Sequence, residues 1–353
     1  MFPETFIFIL AFLLLYTILV VYAERKVSAF IQDRLGPMEV GHYGLLQTVA
    51  DLLKLLQKED IVNRQADRLL FRTAPVFIFV AVFTGFSVLP LSMNLSGSGI
   101  SSGIFFLVSF VALDAVGILM AGWSSHNKYA ALGTLRAAAQ FVSYEVPLGL
   151  TILCVVVEAG TLDLQTISIQ QGIHHDSPSF LWGIRAIDAT PVGGFLSWNI
   201  FHHPFMLPAA LIFFIAGLAE CNRAPFDLPE AESELVAGFQ TEYSGFRWAI
   251  IMLSEYAMML LISILTVVLF LGSWNTPLPN IGSARLAEWT DGKLWGIFWL
   301  SFKSLALVFV QIWIRWTYPR VRVDQLTAFS WKWLTPSSLA LLLFTAVWKL
   351  TIG

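Results

Sequence analysis

The chain has 353 residues, of which 57% are hydrophobic and 13% are charged, and its mean hydropathy is +0.71. Soluble globular domains carry about 25% charged residues, so this composition predicts a polytopic membrane protein. The formal net charge of −3 gives no reason to expect nucleic-acid binding. Cys154 and Cys221, the two cysteines, cannot hold an iron–sulfur cluster, which needs four ligands.

Eight apolar segments are long enough, or nearly so, to cross a bilayer as helices. They lie at about residues 5–23, 74–93, 104–122, 145–159, 205–220, 248–272, 295–315 and 336–352. The sequence therefore predicts an all-α protein with about eight transmembrane helices in a single membrane domain over residues 1–353. The first segment has no basic region before it, so we expect a retained helix and not a cleaved signal.

The distribution of Lys and Arg predicts the orientation of these helices. With the N-terminus outside, the loops at 24–73, 123–144, 221–247 and 316–335 face the cytoplasm and, with Arg315 at their boundary, hold 16 of the 21 Lys and Arg residues. A ninth span within residues 160–204 would place the cluster from Arg315 to Lys332 outside. We therefore interpret 160–204 as surface or interfacial structure.

The first predicted cytoplasmic loop contains an amphipathic helix. Apolar residues share one helical face and polar residues the other: Leu45, Val49, Leu52, Leu53 and Leu56 against Gln47, Asp51, Lys54 and Lys58. This pattern predicts a helix at the membrane surface or against a partner. Packing on the protein's own loops is an equally good interpretation.

Ionisable residues are concentrated in residues 219–243, the acidic segment, between two strongly hydrophobic stretches. They are Glu220, Arg223, Asp227, Glu230, Glu232, Glu234 and Glu242. Pro225 and Pro229 interrupt any continuous helix, and irregular backbone at a membrane boundary is tolerated where it lines a wet cavity or is buried in protein. Carboxylates close together raise each other's pKa towards neutrality. A solvated acidic loop is the alternative.

Further ionisable residues lie in or beside the predicted spans: Asp114, Glu145, Glu158, Glu255 and Lys303. Charge next to lipid is costly, so we interpret Glu255 and Lys303 as parts of a polar path through the protein. Local pairing near helix ends explains Glu145 and Glu158 equally well. A neighbouring helix could satisfy Asp114.

The histidine pairs His174-His175 and His202-His203 lie in the predicted outer loop. Adjacent histidines on a regular element cannot both point at one metal ion. We therefore interpret both pairs as surface residues.

Long motifs in the predicted cytoplasmic loops resemble those of one known family. They are Glu24-Arg-Lys26, Gln32-Asp-Arg-Leu-Gly-Pro37, Gly44-Leu-Leu-Gln-Thr-Val-Ala-Asp51 with Lys54 and Lys58-Glu59, Gly122-Trp-Ser-Ser-His-Asn-Lys-Tyr129, Leu135-Arg-Ala-Ala-Ala-Gln140, Ser143-Tyr-Glu145, the acidic segment running on to Glu255-Tyr256, and Arg315-Trp-Thr-Tyr-Pro-Arg-Val-Arg-Val-Asp-Gln-Leu326. Together they are similar to the H-type membrane subunit of NADH:quinone oxidoreductase, respiratory complex I, whose mitochondrial counterpart is subunit one. The match covers nearly the whole chain, except for residues 160–204 and Asp114.

The resemblance implies a subunit of a translocase in the bacterial inner membrane that forms the floor of the quinone chamber and couples quinone reduction to proton pumping. The quinone-binding candidates are Arg25, Arg34, Glu220, Arg223 and Asp227. The proton-coupling candidates are Glu145, Glu230, Glu232, Glu234, Glu242 and Glu255, and the polar-path argument adds Lys303. Quinone is then the substrate, and the chain has no redox centre of its own.

The resemblance also implies the partners. Peripheral-arm iron–sulfur and quinone-site subunits, with FMN and iron–sulfur clusters, would cover the cytoplasmic loops. Antiporter-like and small membrane subunits would lie beside the chain in the bilayer. The equivalent subunit of an energy-converting hydrogenase and a secondary ion transporter are the alternatives, although the inverted repeats of many transporters are not visible in the sequence.

Overall fold

The computed structural model describes residues 3–93, 95–96, 99–173, 181–183, 192–280, 285–290 and 292–351. Within these ranges the α-helices are α1 (Pro3–Ile31), α2 (Gln47–Gln57), α3 (Arg68–Gly85), α4 (Gly103–Ser124), α5 (Lys128–Ala159), α6 (Leu164–Gln170), α7 (Asn199–His202), α8 (Met206–Glu220), α9 (Glu232–Leu235), α10 (Gly245–Phe270), α11 (Leu286–Trp289), α12 (Lys293–Thr317), α13 (Val323–Phe329) and α14 (Thr335–Thr351). One antiparallel hairpin, β1 (Pro90–Ser92) with β2 (Leu95–Ser96), accompanies them.

Seven helical stretches among these residues are long and apolar enough to cross a membrane. They lie in α1, α3, α4, α5, α10, α12 and the continuous stretch Val323–Thr351, in which a π-helical turn joins α13 to α14. The apolar α8 is shorter, at 15 residues. The all-α membrane architecture is therefore confirmed.

Several helices extend beyond the apolar segments that predict them. The segment at 145–159 is only the second half of α5, which begins at Lys128 after its N-cap Asn127 and ends at the left-handed Gly160. Likewise α1 continues to Ile31, and α3 begins at Arg68. Hydropathy locates the part of a helix that suits lipid, whereas capping residues and backbone geometry set where the helix begins and ends.

The centre of the bundle is α10. Every residue from Tyr256 to Phe270 is buried, and the helix packs against α1, α3, α8 and α12. Because it is covered by protein on all sides along this stretch, α10 forms the interior of the bundle and presents no face of that stretch to lipid. The pairs α3–α4, α4–α5, α5–α8 and α5–α14 complete the packing around it.

The predicted amphipathic helix is confirmed as α2, which packs against α1 and α10. The Thr48 hydroxyl donates to the Ile18 carbonyl of α1 at 3.1 Å. Leu53 and Leu56 are each 52% exposed. The helix therefore packs on its own chain along one edge and leaves apolar side chains for lipid or another subunit.

The four predicted cytoplasmic loops meet at one end of the bundle, which we call the acidic end. Asp67 N donates to Ser124 O at 3.1 Å, and Val321 N donates to Pro225 O at 3.1 Å. At the opposite end, Lys349 Nζ donates to Val157 O at 2.8 Å. The alternation of helix direction thus places the acidic segment beside the last residues of α1 and α12.

Candidate functional site

A buried carboxylate, Glu24, joins separate elements at the acidic end. Its Oε1 accepts hydrogen bonds from Arg315 Nη1 at 2.5 Å and Arg223 Nη1 at 3.5 Å. Its Oε2 accepts one from the Tyr256 hydroxyl at 2.6 Å. The Arg223 guanidinium also lies 4.3 Å from the centre of the Tyr256 ring. We call these four residues the Glu24 network, and it ties α1, α10 and α12 to the acidic segment.

The guanidinium of Arg223 is incompletely satisfied. The residue is 5% exposed, and its Nε and Nη2 have no hydrogen-bond acceptor among the described residues. A buried donor without a partner costs about 1–3 kcal/mol. The two donors are therefore positioned for an oxygen acceptor of a ligand or a water molecule.

Asp227 lies in the acidic segment and pairs with Arg320, which follows the end of α12. Its Oδ2 accepts a hydrogen bond from Arg320 Nη2 at 3.0 Å, and its buried Oδ1 has no donor within the described part of the chain. Burial, together with the nearby charge of Glu230, raises the pKa of Asp227 to about 7 in spite of Arg320. This carboxyl group therefore exchanges protons near neutral pH.

The side-chain amide of Gln240 bridges two carboxylates. Its Nε2 donates to Glu230 Oε1 and, at 2.5 Å, to Glu255 Oε1. Gln240 is 6% exposed, and Glu255 belongs to the central helix α10. The acidic segment is therefore hydrogen-bonded directly to an acid on a spanning helix.

A glycine makes this bridge possible. Gly238 has a φ of +55°, and a Cβ at this position would lie 1.6 Å from the Pro229 carbonyl oxygen. Only glycine adopts this backbone without strain and permits such a close approach. The turn thereby brings Gln240 back to Glu230.

Two small cavities continue from Glu255 into the bundle, each with room for about one water molecule. The first is lined in part by Asp114, Glu220 and Glu255. The second is lined by Glu220 and Glu145 among apolar residues. Asp114 Oδ1 and Glu220 Oε2 are buried and lack a hydrogen-bond donor among the described residues. Because Glu220 borders both cavities, acids from α4, α5, α8 and α10 form one series, which we call the carboxylate series.

Two other predicted acids, Glu234 and Glu242, connect the acidic segment to α5 and to Asn127, the N-cap of α5. Glu234 Oε2 accepts from Arg136 Nη1 at 2.5 Å, and Glu242 Oε1 accepts from Asn127 Nδ2 at 2.7 Å. The Glu234 side chain is 55% exposed, as Glu145 is also exposed, whereas Asp114 and Glu220 are buried. Glu232 begins α9, and its side chain lies outside the described part of the structure.

Two predicted arginines, Arg25 of α1 and Arg34 just after it, pair with residues outside the Glu24 network. Arg25 Nη1 donates to Asp51 Oδ2 at 2.5 Å and so holds α2 against α1. Arg34 is exposed, and its Nε donates to Gln32 Oε1 at 2.7 Å. Arg25 and Arg34 therefore lie on the surface of the acidic end.

Lys303 lies towards the opposite end of the bundle from the acidic segment. Its Nζ donates to the carbonyl oxygens of Leu271 at 2.7 Å and Asn275 at 2.9 Å, just after α10, and lies 4.6 Å from the centre of a Trp198 ring. A lysine at a helix C-terminus stabilises the unpaired carbonyl groups there. The structure thus separates Lys303 from the other proton-coupling candidates.

The surface interpretation of His203 is wrong. The residue is 1% exposed, and its Nε2 lies 3.7 Å from Glu158 Oε2 at the end of α5. Burial, with the neighbouring His202, lowers the pKa of His203 to about 4. Residues between α7 and α8 turn inward here, which the polarity of the outer loop does not indicate. The pair His174-His175 lies outside the described residues.

Comparison with known proteins identifies the family. A model of the family described as NADH dehydrogenase matches residues 4–346. The second H subunit of NADH-quinone oxidoreductase from Cytophaga hutchinsonii is 58% identical to this chain in an alignment 355 residues long. The alignment covers 97% of this chain and 97% of that protein. The chain belongs to the H-subunit family of NADH-quinone oxidoreductase.

Other H subunits agree along the same length. The H subunit of Chlorobaculum parvum is 50% identical over 340 residues, 96% of this chain and 90% of the relative. The H subunit of Geobacillus kaustophilus is 44% identical over 343 residues, 97% of this chain and 92% of the relative. The chain is therefore a membrane subunit of respiratory complex I, as its motifs predict.

Four site residues of this H subunit are absent from the predicted site: Glu24, Asp114, Tyr256 and Arg315. Glu24, Tyr256 and Arg315 appear in family motifs. The positive-inside rule alone explains the position of Arg315, so it does not mark a site. Glu24 and Tyr256 are 232 positions apart in the chain, so their contact has no local signal. Asp114 shows the signal of a charge within a span, but Glu220 and Glu255, which line the same cavity, lie on other helices.

Proposed function

We propose that this subunit forms the membrane floor of a quinone chamber and couples quinone reduction to proton translocation. The observation that carries the proposal is the Gln240 bridge, which joins Glu230 of the acidic segment to Glu255 of α10. It connects the protonatable acidic segment to the carboxylate series. Family membership supports the same chemistry, since the relatives are named NADH-quinone oxidoreductase subunits.

The quinone headgroup lies beside Arg223 in this proposal. A quinone carbonyl is an oxygen acceptor, and Arg223 has two buried donors without an acceptor in the described structure. Reduction makes the quinone oxygens basic, and Asp227, with a pKa of about 7, supplies a proton near neutral pH. Glu220 lies deeper, where it links the chamber to the carboxylate series.

Proton donation then changes the charge of the acidic segment. Loss of its proton to the quinone leaves Asp227 ionised, which strengthens its pairing with Arg320 and raises the proton affinity of Glu230 next to it. The bridge of Gln240 passes the change to Glu255, and the series continues through Glu220 to Glu145. Water in the two small cavities would complete the hydrogen-bonded route.

The remaining candidates have supporting roles in the proposal. Glu234 and Glu242 anchor the segment, and the backbone of Glu232 begins α9, the short helix that contains Glu234. Arg25 and Arg34 line the rim of the chamber at the acidic end. The role of Lys303 in proton coupling stays a prediction, because its contacts lie beyond the far end of α10.

The acidic end is proposed to face the bacterial cytoplasm, with the N-terminus outside. Large apolar side chains are exposed there: Phe30 at 82%, Leu35 at 80%, Ile61 at 62% and Val236 at 61%. Exposed apolar surface of this kind marks a protein interface. The partners are the peripheral-arm subunits that carry FMN and iron–sulfur clusters, with antiporter-like and small subunits beside the spanning helices. The whole assembly then acts as a translocase.

The proposal is tested with Glu255→Gln in the assembled complex. We expect NADH:quinone reduction and proton translocation in inverted membrane vesicles to fall at least tenfold, because a neutral amide cannot exchange the proton. NADH oxidation by ferricyanide, which does not need the quinone chamber, should be unchanged. The matched control is Glu288→Gln, since Glu288 forms an exposed ion pair with Arg285 at the opposite end.

A wild-type rate of quinone reduction with wild-type proton translocation in Glu255→Gln would refute the coupling proposal. Equal loss of ferricyanide reduction would instead show that the complex is not assembled. Gln240→Glu is the second variant for that case. It keeps the size of the side chain but places a third carboxyl group between Glu230 and Glu255, and quinone reduction should fall with assembly intact.

A further inference from the structure

A large open groove lies at the acidic end, beside the acidic segment. Its volume is about 560 Å³. It is lined by Phe226, Val321, Gln325, Leu326, Ala328, Phe329, Lys332 and Trp333. Most of these residues belong to the first turns of the spanning stretch Val323–Thr351. The groove therefore opens where that stretch enters the membrane.

The lining is mostly apolar, with one cationic side chain at its edge. Gln325 and Lys332 are its two polar residues, and no acidic side chain lines it within the described part of the chain. Lys332 is exposed and forms no ion pair with any residue that the structure describes. Arg322 and Asp324, next to the lining residues Val321 and Gln325, are also exposed and carry opposite charges, so Lys332 leaves one net positive charge there. The groove thus offers apolar surface below and positive charge at its edge.

The surroundings of the groove have the composition of a membrane interface. Tyr318 is 63% exposed, Trp331 is 51% exposed and Trp333 is 70% exposed. Tyrosine and tryptophan are enriched where hydrocarbon meets headgroups, because their rings are apolar and their N–H or O–H groups are polar. The rim of the groove therefore lies at the depth of the lipid headgroups, and its apolar floor lies towards the acyl chains.

We infer that the groove binds one anionic phospholipid. The phosphate contacts Lys332 and Arg322 at the rim, and an acyl chain occupies the apolar floor. Basic pockets beside spanning helices recognise anionic headgroups through charge, and apolar cavities of this size hold a flexible hydrocarbon chain. Charge complementarity decides for an anionic lipid over a zwitterionic one.

The bound lipid supports the acidic segment. One wall of the groove is Phe226, whose ring lies 5.4 Å from that of Tyr144 in α5, centre to centre. Another is Val321, whose N–H donates to the Pro225 carbonyl at 3.1 Å. Asp227 follows directly and pairs with Arg320. An acyl chain against Phe226 and Val321 therefore holds the backbone that positions Asp227.

The test compares the wild-type complex with Lys332→Gln, Lys332→Arg and the control Lys293→Gln. Lys293 is likewise exposed but lies at the opposite end of the bundle. Each complex is purified in mild detergent, and its phospholipids are counted by mass spectrometry. Lys332→Gln should retain about one anionic lipid fewer per complex, whereas the other two variants should match the wild type.

A second measurement follows the same complexes after removal of lipid. Phosphatidylglycerol is added back, and the concentration that restores half of the quinone reductase rate is determined. This concentration should rise about fivefold in Lys332→Gln, as expected for one lost surface charge. Phosphatidylcholine should not restore the rate, and Lys293→Gln should behave as the wild type.

Unchanged lipid counts and an unchanged titration in Lys332→Gln would overturn the inference. The same loss in Lys332→Arg would overturn it too, since the charge would not be the determinant. A structure of the assembled complex with a helix of another subunit in the groove would assign this surface to a protein partner instead. The lipid count does not depend on quinone turnover, so its result is independent of the proposed coupling function.

Discussion

Replacing Glu24 by glutamine removes the negative charge that offsets two arginines in the Glu24 network. The change keeps the size of the side chain, so packing around α1 is preserved. Arg223 is 5% exposed and Arg315 has a side chain that is 29% exposed, so Arg223 cannot recover the lost interaction from water. We therefore expect a loss of stability that comes from an uncompensated buried charge.

The magnitude follows from the contacts. Breaking a buried ion pair by removing one partner costs about 3–5 kcal/mol. Two of the three hydrogen bonds to Glu24, those from Arg315 at 2.5 Å and Tyr256 at 2.6 Å, are short and charge-assisted, while that from Arg223 is long at 3.5 Å. The double variant Glu24→Gln with Arg223→Gln removes the stranded charge. It should recover about half of the loss or more.

The assay is the half-life of heat inactivation of NADH:quinone reduction in the purified complex, with assembly followed on native gels. Unfolding of a multi-subunit complex is not two-state, so a rate is measured in place of an equilibrium free energy. Glu24→Gln should shorten the half-life at least tenfold, and the double variant should be more stable than Glu24→Gln alone. Additive loss in the double variant would refute the argument from buried charge.

Three further predictions concern other parts of the chain. Burial raises the pKa of Asp227 to about 7 in the folded protein. The stability that its protonated form contributes is therefore fully present below its ordinary pKa and is lost as the pH rises through 7. Asp227→Asn should remove this pH dependence, between about pH 4 and 7, from the rate of heat inactivation. Gly238→Ala should cost about 3 kcal/mol or more through its positive φ and its clash with Pro229. Gly149→Ala, whose new Cβ would have no atom of the described residues within 4 Å, should be tolerated in the same inactivation assay. Lys303→Met should shorten the half-life by a factor equivalent to about 1–3 kcal/mol, because two carbonyl groups after α10 lose their donor; a half-life equal to the wild type would contradict that structural role.

Much of the architecture can be predicted from local sequence. Apolar runs identify the spanning helices, because only apolar side chains are stable against lipid over the thickness of a bilayer. The helical form follows because a backbone in lipid must form all its hydrogen bonds internally. The alternation of Leu45–Leu56 identifies α2 as amphipathic, and the charge density of the acidic segment predicts a site beside lipid. The extension of α5 back to Lys128 is not visible in hydropathy, since that half of the helix packs against protein at the acidic end.

The pairings within the site could not be predicted. Glu24 meets Arg315 across 291 positions of sequence and Tyr256 across 232, and nothing near Glu24 indicates either partner. The distance of Lys303 from the carboxylate series could not be predicted from sequence either. Lys303 and these acids all lie in or near apolar segments, but helices of opposite direction place them at different ends of the bundle.

For this membrane protein, the chain's own pattern of apolar and charged residues determined the family, the all-α membrane class and the segment proposed to carry the chemistry. These are local properties, because transfer into lipid and helix formation depend on residues within a few turns of each other. The tertiary structure alone decided which charges meet. It placed Glu24 between Arg223 and Arg315, set Gln240 between two carboxylates and buried His203. Such contacts depend on how helices far apart in sequence pack around α10, where each buried polar group must find its partner on another helix.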